Sequence, residues 1–135
     1  MIAVDSSVVI AAFASWHEYH AIARKALARH PRLIAHAAVE AYSVLTRLPP
    51  PHRAQPEIVH SFITERFTEP FLTLSENGYQ ELLAMVTSGR VLGGHVYDAM
   101  IAFTAAEHQA TLLSLDRRAA PTYEAVGAGV EDLAP

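Results

Sequence analysis

The chain contains no cysteine, which excludes disulfides, thiolate zinc sites and a cysteine nucleophile. It has no apolar run near the roughly 20 residues that cross a bilayer, and its start shows no basic segment followed by a signal-type apolar run. No membrane association and a cytoplasmic location are therefore expected. Charge is also scarce: 18% of residues are charged and the formal net charge is −4, so composition gives no sign of the basic stripe common in nucleic-acid binders. Lysine is nearly absent, with nine of the ten basic residues arginine. Arginine is the side chain best shaped for bidentate contact with phosphate, although a skewed genome composition produces the same bias.

What is plentiful is apolar surface, 51% of 135 residues. A chain of that size buries roughly two-thirds of its unfolded surface around one core, so disorder is excluded and a single domain spanning 1–135 is expected. No repeat, linker or low-complexity tract interrupts it.

Strand-like and helix-like segments alternate along the chain. Residues 2–4 read as a strand that runs into Asp5, Ser6 and Ser7, and a short helix follows to about residue 14. A helix is expected over 17–29, with Tyr19, Ile22, Ala26 and Leu27 forming an apolar stripe. Residues 32–36 read as a second strand and 37–48 as a helix, stopped by Pro49, Pro50 and Pro51. A helix over 55–67, a strand over 70–74 and a helix ending near Ser88 and Gly89 come next. The glycine-bearing loop 90–94 precedes a helix over 95–108, then a strand over 111–115 and a last edge strand over 130–133.

Short apolar strands separated by helices imply a three-layer α/β/α fold with a mostly parallel sheet of about five strands. Right-handed crossovers gather the carboxyl ends of such strands on one edge. Asp5 then closes the first strand and Asp116 the strand over 111–115, while Glu40 and Asp98 fall in first helical turns at the same edge. Singly, each has an ordinary explanation, because acidic residues cap helices and complement their dipoles. Together, carboxylates brought so close repel unless protonated or neutralised by a cation. Hard oxygen donors without thiolate point to magnesium or manganese.

Four segments carry a family resemblance: Val4-Asp5-Ser6-Ser7, Glu40 within Ala38–Tyr42, Gly94 to Ala102 around Tyr97-Asp98-Ala99, and Leu113 to Ala119 around Leu115-Asp116-Arg117. In order and spacing they resemble PIN-domain ribonucleases, and the length is similar to that of VapC-type toxins of bacterial toxin-antitoxin pairs. The resemblance implies a metal-dependent endoribonuclease that cuts a structured cellular RNA and is silenced by a cognate, VapB-like antitoxin. Carried over by position, Asp5 and Asp98 are the main metal ligands, Asp116 completes the cluster, and Glu40 binds metal or orients the attacking water. Ser7 supports the site. Some relatives carry an acidic or amide residue just beyond Asp116, where Arg117 and Arg118 stand here, so the ligand set stops at four. One ion or two are both compatible with it.

Arg117, Arg118, Arg90 and Arg47 are candidates to hold RNA phosphates, with a solvated surface role the simpler reading of each. His95 is a neighbour of the site without an assigned role. His17 and His20 read as surface or capping histidines. Trp16 and Tyr19 suit base stacking or a partner groove. The apolar faces of the first two helices and the segment 49–56 are candidate contact surfaces for a homodimer or for the antitoxin. Two other functions compete. A phosphatase of the haloacid-dehalogenase type also starts with a strand and an aspartate, but needs an acid two positions on, where Ser7 stands. A catalytically silent PIN-like module binding RNA or protein would usually lack acidic positions, and all four are present.

Overall fold

The first strand, β1 (Ile2–Val4), stops where an aspartate follows it. A computed structural model describing Met1–Pro135 shows Asp5 turning the chain directly into α1 (Ser6–Phe13). Asp5 is extended, with φ −88° and ψ −178°, and its carboxylate accepts the Val8 N–H, satisfying one of the donors left free at a helix start. The order continues α2 (His20–Leu27), β2 (Arg32–Leu33), α3 (Ala35–Arg47), α4 (Pro56–Arg66), α5 (Glu76–Ser88), α6 (His95–Glu107), β3 (Thr111–Ser114), α7 (Ala120–Val126) and β4 (Val130–Asp132). Arg47 ends α3 ahead of the proline run, and Pro56 opens α4, where its missing N–H costs nothing.

The strands form one sheet in the order β2-β1-β3-β4, parallel throughout. From β1 the chain crosses to β2 on one side, and from β3 it crosses to β4 on the other. The crevice outside the carboxyl ends of β1 and β3 is therefore a topological switch point, where open α/β sheets bind their ligands. Helices complete a three-layer α/β/α arrangement. Its core is unusually rich in alanine: Ala3, Ala11, Ala12, Ala37, Ala41 and Ala102 are fully buried beside Val4, Val8, Val9, Leu112 and Leu113. Small side chains let the helices approach the sheet closely.

Several expected elements shift for physical reasons. The helix expected from 17 begins at His20, because His17 Nδ1 accepts the Tyr19 N–H at 3.1 Å and offers the backbone an alternative to helix. Helix α3 begins two residues early, which moves Glu40 from the expected first turn to the second. The strand expected over 70–74 is reduced to one parallel bridge between Ile34 and Leu72. Pro70 has no N–H to give, and β2 turns into α3 after two residues, so the ladder runs out. The sheet has four strands, with that bridge where a fifth would lie. Helix α7 was not foreseen; Tyr123 anchors it in the core.

Candidate active site

Parallel register brings the end of β3 level with Asp5. Val4 pairs with Leu113, so the next residue along β3, Ser114, stands opposite Asp5. Ser114 Oγ donates to Asp5 Oδ2 at 2.5 Å, and the Tyr123 hydroxyl donates to the same oxygen at 2.9 Å. Ser7 Oγ donates to Oδ1 at 2.5 Å alongside the Val8 N–H at 3.3 Å. All four acceptor positions of this 1% exposed carboxylate are thus taken by the protein. Burial pushes the Asp5 pKa up, and the four hydrogen bonds pull it partly back. Burial, then the Asp5 charge, push the Tyr123 hydroxyl far above its ordinary value, so it remains a donor.

The network reaches the other carboxylates. Ser7 Oγ accepts the Leu115 N–H at 2.9 Å and Ser114 Oγ accepts the Asp116 N–H at 3.0 Å, fixing the turn that carries Asp116. Asp116 lies two residues past β3 and, through Oδ1, accepts the Arg118 and Ala119 N–H groups. Asp98, in the first turn of α6, is held between Arg118 Nη1 at 3.4 Å and His95 Nδ1 at 3.8 Å. Arg118 Nη2 meets Asp116 Oδ2 at 3.1 Å, so one guanidinium bridges the two carboxylates. Burial raises the Asp98 pKa; Arg118 opposes that, while the charges of Asp116 and Glu40 add to it. Asp116 and Asp98 in turn raise the Arg118 pKa.

Glu40 faces the same edge from α3. Ser6 Oγ donates to its Oε1, and His36 Nε2 lies 3.8 Å from Oε2. Since Asp98 senses both Asp116 and Glu40, and Tyr123 senses Asp5, Asp98 and Asp116, all four carboxylates share one electrostatic neighbourhood. Ser7 and His95 stand where expected beside it. Of the arginines, only Arg118 enters it: Arg117 pairs with Asp132 at 3.0 Å and donates to the Ala134 and Pro135 carbonyls, tying down β4. Ser6, His36, Ser114 and Tyr123 were missed from sequence. The signal for Ser114 was its place at a strand end level with Asp5.

A hard cation suits this donor set, because the charges of Asp116 and Glu40 both bear on buried Asp98 and only the Arg118 guanidinium offsets them. As the side chains stand, however, no three acidic or histidine groups are gathered into a metal-holding cluster. The Arg118 guanidinium takes the cation's place between Asp98 and Asp116, and Asp5 is saturated by its own neighbours.

The family model of the PIN domain matches residues 2–125. The chain belongs to the PIN-domain family. Within that family it is 49% identical to Ribonuclease VapC40 of Mycobacterium tuberculosis over 131 residues, covering 97% of this chain and 98% of the relative. Ribonuclease VapC27 of the same species is 42% identical over 130 residues, covering 96% and 94%. This PIN domain is accordingly of the VapC type. Its fold matches the crystal structure of FitAcB from Neisseria gonorrhoeae with a TM-score of 0.71 over 98% of each chain, at 17% identity.

Proposed function

We propose that this PIN domain is a metal-dependent endoribonuclease that cuts a structured cellular RNA and acts as the toxin of a toxin-antitoxin pair. The observation that carries the reading is the convergence of Glu40, Asp98 and Asp116 on the switch-point edge in front of buried Asp5, in a chain whose relatives are named ribonucleases. Asp5, Asp98 and Asp116 are the carboxylates proposed to hold magnesium or manganese, directly or through water, Asp5 doing so once the Ser7 or Ser114 hydroxyl turns away from it, and Glu40 to bind it or orient the attacking water. A divalent cation supplies a lowered water pKa and polarised phosphoryl oxygens.

The chain's own groups do the rest. Ser7, Ser114 and Tyr123 fix Asp5 in place and offset part of the cost of burying its charge, Ser6 orients Glu40, and Arg118 is within reach of a phosphate once it leaves Asp98 and Asp116. A cognate antitoxin is the proposed partner, supported by the VapC names of the relatives.

Purified protein free of any partner, incubated with total cellular RNA and magnesium or manganese, is expected to give discrete cut ends. These are expected to vanish with chelator and in Asp98→Asn and Asp116→Asn. Unchanged cutting in those variants contradicts the assignment. The saturation of Asp5 also suits the second reading, a catalytically silent module that binds RNA or protein. RNA bound but never cut, by the wild-type chain with either ion, would favour that module.

A further inference from the structure

The helices that carry Glu40 and Asp98 meet through an aromatic stack. His36, one turn before Glu40 on α3, lies parallel to Tyr97, the residue before Asp98 on α6; their ring centroids are 5.3 Å apart and the planes differ by 6°. Tyr97 is 53% exposed. Together with Val39, Glu40, Ser43 and Arg47, the two rings line an open depression beside the carboxylates. We propose that the His36–Tyr97 pair is a base-stacking platform for the RNA nucleotide next to the scissile phosphate, with Arg47 holding a phosphate farther along the strand. The proposal rests on the ribonuclease reading above and names where the substrate lies.

Three observations support it. A large aromatic ring left half in solvent at the mouth of a charged site is a poor use of apolar surface unless something covers it. Bases stack on such rings whatever their identity, because every base has a π face. His36, Glu40, Ser43 and Arg47 are spaced four, three and four residues apart, so they form one stripe along α3. Seven residues of helical rise put Arg47 about 10 Å beyond Glu40. Arg47 takes part in none of the ion pairs in the molecule, whereas Arg117 and Arg118 are both engaged. An exposed aromatic on α6, stacked on the head of an α3 stripe that ends in an unpaired guanidinium, suits a single strand better than a folded protein partner.

The test titrates the Asp116→Asn protein, which is expected to bind without cutting, with short single-stranded RNAs carrying a fluorescent adenine analogue at successive positions. Quenching is expected at one position. Tyr97→Ala is expected to abolish that quenching and weaken binding roughly tenfold or more, Tyr97→Phe to restore both, and Arg47→Gln to weaken binding with the quenching retained. A merely structural role for the stack would change thermal stability without moving the quenching. Binding and quenching unchanged in Tyr97→Ala overturn this proposal alone. So does a Tyr97→Ala protein that keeps RNA affinity and loses antitoxin affinity, since the rings would then serve the protein partner. A parent protein that binds total cellular RNA but none of these short strands overturns this proposal alone, and one that binds neither overturns the ribonuclease reading with it.

Discussion

Asp5 accepts four hydrogen bonds at 1% exposure, so its removal disturbs structure as well as chemistry. Asp5→Ala deletes a helix cap and strands the buried Ser114 and Tyr123 donors, and is expected to cost about 2–4 kcal/mol in urea unfolding. Asp5→Asn keeps the volume and one accepting oxygen, and a smaller loss is expected; a loss equal to that of Asp5→Ala would show that both carboxylate oxygens are needed as acceptors. Arg118 invites a different measurement. Replacing it with Gln removes the counterion from Asp98 and Asp116, so the metal-free protein is expected to melt lower and manganese to raise its melting temperature more than in wild type. An equal manganese shift in both would show that Arg118 does not compete with the cation. The Asp5 and Asp98 pKa values lie above the ordinary carboxylate value. Folding therefore takes up protons in that range: the associated stability is complete below about pH 4 and lost as pH rises through the raised values. Thermal melts in chelator are expected to show the protein less stable at neutral than at mildly acidic pH, and a divalent cation to reverse that slope. The acidic residues themselves were legible, because strand and helix periodicity placed them on one edge. Ser114 and Tyr123 were not, since they reach Asp5 across 109 and 118 residues of sequence.

At the scale of elements, the strong periodic segments were readable and the weak ones were not. Helices α3, α5 and α6 carry clear apolar stripes or end signals, including Ser75, whose hydroxyl accepts the Gly78 N–H at the start of α5. Helix α7 has seven residues with a proline in its first turn, too short for periodicity to register. It nonetheless places Tyr123 behind Asp5. Its end depends on Gly127, at φ +84° with nothing within 4 Å of a Cβ added there. Gly127→Ala therefore tests backbone strain alone, and a loss of about 1–2 kcal/mol is expected with RNA cutting unchanged. A neutral result would mean that α7 ends without needing the left-handed residue. The bridge between Ile34 and Leu72 shows the opposite case, where apolar sequence suggested a full strand but a two-residue neighbour could not support one.

Across the whole molecule, the proposed function requires an acidic chain to attract RNA through a few placed arginines and a cation, without a broad positive field. With a net charge of −4, RNA affinity is expected to fall with salt along a log–log slope no steeper than about −3. A slope several times steeper would reveal a basic surface not present here. The fold makes this economy possible, because one topological switch point collects side chains from the turn after β1, from α3 and α6, and from the segment after β3. That convergence followed from strand order and was readable as soon as a parallel sheet was inferred. Its closure by Arg118 was not, since Arg118 was one of four rim arginines that sequence could not separate. The central claim is that cutting requires a cation held by these carboxylates. Manganese binding by calorimetry and RNA cleavage, measured on the same samples of wild type, Asp98→Asn and Asp116→Asn, test it most directly. The expected result is that both activities are lost together in each variant, and cleavage persisting in a variant that no longer binds manganese would contradict the claim.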